Sequence, residues 1–124
     1  MPATALISGL DLVEISRFLD INPAIKQRFF KRVFTPREQQ YIGDAMQRAA
    51  GIFAAKEAVV KALGCGIGPI SWQEIEINHD PLGKPSLRLI GAAEEISRQQ
   101  KIKTWSLSIT HTRHIAGAVA VAMK

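Results

Sequence analysis

Phe53-Ala54-Ala55-Lys56-Glu57-Ala58-Val59-Val60-Lys61-Ala62-Leu63-Gly64 is the stretch that decides the fold. Apolar residues fall on every side of a 3.6-residue period, which predicts a helix inside the core, not one lying on its surface. The helix is expected from about Arg48 to Leu63, with Gly64 as its C-terminal cap. Glu57 and Lys61 stand four residues apart on one helical face. A carboxylate and an ammonium on a core helix must be satisfied by each other, by a metal or by anionic ligand groups. The structural alternative is a Glu57–Lys61 ion pair contributing a few tenths of a kcal/mol. Lys56 points about 100° away from Glu57 and reads as a solvated flank or an interface contact.

A second carboxylate in a matching setting is Asp11. Residues 4–13 read as a strand on which Ile7, Gly9, Asp11 and Val13 share a face. Gly9 is expected to leave open space beside the Asp11 carboxylate. Residues 14–33 read as helical with a break at Asn22-Pro23. Thr35-Pro36-Arg37-Glu38 has the form of a capping box with proline at the first helical position, starting a helix to about Gln47.

Beyond the core helix, Gly64-Cys65-Gly66-Ile67-Gly68-Pro69 forms a loop. It follows the helix, whose end offers carbonyls and not the amide donors that bind anions, so as a phosphate signal it is weak. Residues 72–79 and 86–90 flank Asp80-Pro81-Leu82-Gly83, a turn between antiparallel strands. Residues 92–101 form a short amphipathic helix. Residues 104–112 form a strand with Trp105, Leu107, Ile109 and His111 on one face. The unbroken apolar run 115–122 predicts a last strand buried on both faces. Helices clustered before a mostly antiparallel sheet give a single α+β domain over 1–124, with one long core helix.

The 124 residues suit one core, and with 47% hydrophobic but only 6% aromatic residues that core is aliphatic and alanine-rich. Small side chains bury little area each, so subunit contacts are expected to complete it. The net charge of +5 calls for an anionic partner: nucleic acid, a phosphorylated cofactor or an acidic protein. The single cysteine, Cys65, excludes an internal disulfide and a cysteine-type zinc site and fits a reducing compartment. No basic n-region precedes an apolar run, and no apolar stretch approaches the roughly 20 residues of a membrane helix. A soluble cytoplasmic protein is expected, with no membrane partner.

The motifs resemble those of the holo-acyl-carrier-protein synthases, the small bacterial class of 4′-phosphopantetheinyl transferases. Gly9-Leu10-Asp11 with Glu14 and Arg17 is similar to the family's G-x-D segment. Phe53-Ala54-Ala55-Lys56-Glu57-Ala58, then Lys61, Ala62 and Gly64, resembles its F-A-x-K-E-A…K-A-x-G signature. Gly83-Lys84-Pro85 resembles its G-K-P turn, and Ser108-Ile109-Thr110-His111-Thr112 its late S-I-[ST]-H-T strand. Four motifs in the right order cover nearly the whole chain.

The resemblance implies Mg²⁺-dependent transfer of the 4′-phosphopantetheine arm from coenzyme A to a serine of an apo acyl carrier protein, with adenosine 3′,5′-bisphosphate leaving. It implies a homotrimer with active sites at the subunit interfaces. Asp11 and Glu57 would hold the Mg²⁺, a cation that commonly takes one or two protein carboxylates. Lys61 would act with them in catalysis, stabilising charge on the pyrophosphate or assisting proton movement. Coenzyme A contacts fall to Lys61, Gly64, Pro85, His111 and Arg48. His111 is open to three readings: a phosphate contact, a satisfied histidine at a core edge, or a general base; Glu57 or a metal-bound water are alternative bases. The chain departs from the family at Ile52, where an arginine is common, and Arg48, one turn earlier, is the expected substitute. Arg17, Arg28 and Arg32, in a basic run with Lys26 and Lys31, would meet the acidic carrier protein. Two other classes compete: a small RNA-binding module, short of base-stacking aromatics and recognition motifs, and a structural trimer in which Glu57 and Lys61 only set packing. No nucleic-acid partner is expected.

Overall fold

The computed structural model describes residues 5–124; Thr4, the first residue of the expected opening strand, lies outside them. Strand β1 is Leu6–Glu14, followed by helices α1 (Ser16–Leu19), α2 (Pro23–Val33), α3 (Pro36–Ile42) and α4 (Met46–Leu63). A 3₁₀ turn at Trp72–Glu74 leads into β2 (Ile75–His79), β3 (Pro85–Leu89), α5 (Gly91–Gln99), β4 (Thr104–His111) and β5 (Ile115–Met123). The strands make two antiparallel sheets, one in the order β1-β5-β4 and one pairing β2 with β3. The α+β expectation holds, with the sheet divided in two and α4 packed against strands of both.

Every residue of α4 is buried except Gln47, Arg48, Glu57 and Lys61. A helix buried all round is interrupted by polar access at three of the residues singled out for function. Gly64 ends it in the left-handed region, φ 73°, where its amide donates to the Val60 carbonyl. Against α4, β5 presents Ala116, Ala118, Ala120 and Ala122, all nearly inaccessible. On the other face of β5, Val119 and Val121 are only half-buried among the described residues. The expected burial on both faces therefore holds for one.

Small residues set the approach of helix to sheet. A Cβ on Gly9 would stand 1.9 Å from the Ala58 carbonyl oxygen and 2.8 Å from the Ala62 amide. Gly9 does not leave a vacancy beside Asp11, as its position had suggested; the backbone of α4 fills that space. Strand β1 and helix α4 thus touch main chain to main chain two residues before Asp11.

The α2–α3 region is tied down by capping and by aromatic packing. The Thr35 hydroxyl accepts from the Glu38 amide at 3.2 Å while Glu38 Oε1 accepts from the Thr35 amide at 2.9 Å, the predicted box. Helix α3 ends at Ile42, short of Gln47, because Gly43 takes φ 52° and ψ −124°, a conformation that glycine alone adopts readily. All five phenylalanines (Phe18, Phe29, Phe30, Phe34 and Phe53) pack edge to face or tilted in one cluster that fastens α1 and α2 to α4. Lys56 is neither a solvated flank nor an interface group. It is fully inaccessible and paired with Glu38 at 2.7 Å. Among the described residues no helix is long and apolar enough to cross a membrane.

Candidate active site

Asp11 lies on the inner face of β1, nine-tenths buried, because odd positions of that strand turn toward α4. Lys61, on the last turn of α4, donates to Asp11 Oδ1 at 2.9 Å and to the Leu10 carbonyl at 3.0 Å. Its side chain remains 56% exposed, so the ammonium is open to solvent and to ligands on its outer side. The Asp11 carboxylate pushes the Lys61 pKa up. The ion pairs among the described residues are Lys56–Glu38, Lys61–Asp11, Arg98–Glu94 and Arg98–Glu95. Lys61 therefore reaches across to β1 and does not pair along its own helix with Glu57, which removes the local ion-pair alternative.

Glu57 sits one turn before Lys61 and half-buried. Burial pushes its carboxyl pKa up to about 7, Asp11 adds to that rise, and Arg17 and Lys61 oppose it. The second Asp11 oxygen, Oδ2, is buried and has no hydrogen-bond partner in the structure. A protonated Glu57 shares its proton with Asp11, and once Glu57 ionises two carboxylates face each other with no donor between them, a local excess of negative charge. It calls for a proton or a cation. No group of three or more His, Cys, Asp or Glu side chains able to hold a metal occurs among the described residues. Two carboxylates from two elements suit Mg²⁺, which fills its remaining octahedral positions with water and phosphate oxygens. They do not suit a zinc or calcium cage.

Arg17, on α1, is near enough to Glu57 to favour its ionised form, and its guanidinium lies 5.8 Å from the centre of the Phe53 ring. The structure thus brings Arg17 to the site. Arg28 and Arg32 are exposed on α2, one turn apart on the same face. A notch of about 130 Å³ between α1 and α2 is lined by Arg17, Phe18, Ile21, Lys26, Phe29 and Phe30.

The remaining predicted contacts form a second group at the other end of α4. Arg48 stands nine residues before Glu57, about 14 Å along the axis. Arg48, Pro85 and His111 line one cavity of about 310 Å³ with Ile52 in its wall. Gly64, by contrast, caps the Lys61 end. His111 is exposed at the end of β4 with Nδ1 3.1 Å from the Thr112 carbonyl, so it is not a buried core-edge histidine. Ile52 supplies apolar wall where a basic group was expected. Arg48 donates to the Tyr41 carbonyl at 2.8 Å and lies 4.6 Å over the Tyr41 ring.

Tyr41 and His79 line this cavity too, and the sequence did not point to them. Their rings stack at 3.9 Å and 10°. Burial, then the charge of Arg48, pushes the His79 pKa down, and its Nδ1 is buried without a partner. They lie 38 residues apart, and no short motif joins them.

The family model of the 4′-phosphopantetheinyl transferase superfamily matches residues 8–120. A holo-[acyl-carrier-protein] synthase of Herpetosiphon aurantiacus is 42% identical over 128 residues, 95% of this chain and 98% of that protein. Among solved structures, the Helicobacter pylori holo-[acyl-carrier-protein] synthase in complex with coenzyme A matches with a TM-score of 0.84 and 34% identity, covering 94% of this chain and 99% of that one. The Bacillus anthracis holo-(acyl-carrier-protein) synthase in complex with CoA (3′,5′-ADP) matches with a TM-score of 0.76 and 30% identity, over 95% and 96%.

Proposed function

This chain belongs to the 4′-phosphopantetheinyl transferase superfamily as a holo-[acyl-carrier-protein] synthase, moving phosphopantetheine from coenzyme A to acyl carrier protein, and we propose how its own residues carry out that transfer. Asp11 and Glu57 would hold one Mg²⁺ between β1 and α4. The observation that carries this reading is the buried, partnerless Asp11 Oδ2 beside a Glu57 carboxyl raised to about 7. A bound Mg²⁺ supplies charge neutralisation on the coenzyme A pyrophosphate. Lys61, anchored by Asp11 and the Leu10 carbonyl with its outer side open, donates to a phosphate oxygen as charge builds in the transition state. A serine oxygen of the carrier protein bonds to the β-phosphorus while the bond from that phosphorus to the bridging oxygen breaks, releasing adenosine 3′,5′-bisphosphate. The serine proton needs an acceptor, and the ionised Glu57 carboxylate is a side chain of the site able to take it.

The coenzyme's outer part is taken by Arg48, Pro85 and His111, in the cavity at the far end of α4. One protomer separates that cavity from the carboxylate pair. A homotrimer with its sites at the interfaces would bring one copy's cavity beside its neighbour's carboxylates. Support comes from the outer face of the β1-β5-β4 sheet. There Leu6, Leu10, Leu12, Ile115 and Met123 are 41–67% exposed on one face, with Leu6 opposite Met123 and Leu10 opposite Val119. Arg17, Arg28 and Arg32 receive the acidic carrier protein, and the lone Cys65 suits a reducing cytoplasm. RNA binding is disfavoured because all five phenylalanines are spent on core packing.

The test is incubation with coenzyme A, Mg²⁺ and an apo carrier protein, read by mass spectrometry. The carrier should gain one phosphopantetheine arm, and folded Asp11→Ala and Glu57→Ala proteins should give none. Arm transfer undiminished in both variants would overturn the assignment of these residues.

A further inference from the structure

We infer that the buried Glu38–Lys56 ion pair is a positioning device that fixes the rotation of α4 about its own axis and so aims Glu57 at Asp11. The inference rests on the reading of Asp11 and Glu57 as the cation-holding pair. Both residues of the pair are wholly inaccessible. Lys56 Nζ donates to Glu38 Oε1 at 2.7 Å, to the Val33 carbonyl at 2.9 Å and to the Trp72 carbonyl at 2.9 Å. Those are all the hydrogens an ammonium has. Glu38 Oε1 also accepts from the Thr35 amide at 2.9 Å, and Oε2 accepts from the Ile77 amide at 2.7 Å. A single pair therefore ties α4 to the C-terminus of α2, the start of α3, the 3₁₀ turn and β2.

Stability alone does not account for it. Burial pushes the Glu38 carboxyl up and the Lys56 ammonium down, each opposed by its partner. Taking both charges out of water costs several kcal/mol, and apolar residues of similar size commonly do as well or better. What the pair supplies is direction. The neighbours of Lys56 one turn away on α4 are Ile52, Phe53, Val59 and Val60, apolar contacts without directional bonds, and the β1-facing Ala58 and Ala62 are small, so packing sets the helix rotation less sharply than hydrogen bonds do. Lys56, saturated on one side, throws the adjacent Glu57 about 100° round to the β1 side. At the 5–6 Å radius of a helix with its side chains, a turn of about 10° displaces the carboxylate by about 1 Å. A misplacement of that size costs about a hundredfold in rate.

The test uses the Glu38→Gln/Lys56→Met double variant, in which no charge is left unpaired in the core. The double variant should stay folded with a lowered thermal midpoint, because methionine leaves the Val33 and Trp72 carbonyls without the Lys56 donor. Mn²⁺ affinity, read by electron paramagnetic resonance on the substrate-free protein, should fall about tenfold or more, and kcat should fall toward the hundredfold level. KM for the carrier protein should stay within about twofold. A folded double variant that keeps both cation affinity and kcat would overturn the inference. So would one that does not fold, since the pair would then hold the fold and not aim a side chain. Asp11→Asn, measured beside it, separates the two readings. If Asp11→Asn also keeps cation affinity and turnover, the functional reading is what fails; if it alone loses them, only the positioning role does.

Discussion

Replacing Gly9 by alanine probes the contact on which the site depends. Gly9 has no unusual backbone angle, so the cost is one of space. The added Cβ would fall 1.9 Å from the Ala58 carbonyl oxygen and under 3 Å from two further backbone atoms of α4, none of which can rotate aside. Restoring ordinary contact at 3.4 Å requires strand and helix to separate by about 1.5 Å. That movement breaks the 2.9 Å bond from Lys61 to Asp11 and draws Glu57 back from the same carboxylate. Overpacking of this kind costs about 2–3 kcal/mol, or about 10 °C in the midpoint of a domain this size. Turnover should fall about a hundredfold for a displacement beyond 1 Å. Calorimetry and the arm-transfer assay read the two effects on the same preparation. A Gly9→Ala protein with unchanged midpoint and turnover would refute the main-chain contact between β1 and α4.

Cation binding should depend on pH through Glu57, whose pKa of about 7 lies above its ordinary 4.5. A raised carboxyl contributes stability below its unfolded value and loses it as pH rises through the folded one. The cation-free protein should therefore weaken toward pH 8, and the thermal shift produced by Mg²⁺ should widen. Ionised Glu57 rises from about a tenth at pH 6 to about nine-tenths at pH 8, so calorimetric Mg²⁺ affinity should tighten about tenfold; a constant affinity contradicts the shift. Arg48→Ala should raise KM for coenzyme A about tenfold through loss of a charge-assisted contact and leave the carrier protein's KM alone; no change in either refutes the substitution of Arg48 for the arginine absent at Ile52. The carrier protein's KM should climb several-fold between about 0.05 and about 0.3 M salt as Arg17, Arg28 and Arg32 are screened, whereas a flat response would dismiss the basic patch.

Local chemistry was legible along the chain. The Thr35–Glu38 box, the Gly64 cap and the Asp80–Gly83 turn are fixed by neighbours a few residues away, and each stands where the residues place it. So does the inward face of β1, since alternation alone turns Asp11 toward the core. Readings that needed a distant partner went astray. Angular spacing correctly separated Lys56 from Glu57, yet nothing local shows that Glu38, already engaged as a cap, also receives the Lys56 ammonium. Lys61 chose Asp11, 50 residues away, over the glutamate one turn back. Gly9 was legible as small, but period-two alternation cannot say whether a missing side chain is replaced by space or by another element's backbone. Tyr41 and His79 meet only because α3 and β2 pack together.

The most direct test is a Mn²⁺ titration in the presence of coenzyme A, followed by water-proton relaxation, for the wild type, Asp11→Asn and Glu57→Gln. One cation per active site is expected in the wild type, and about a hundredfold weaker binding in either folded variant. Wild-type affinity retained in both would contradict it.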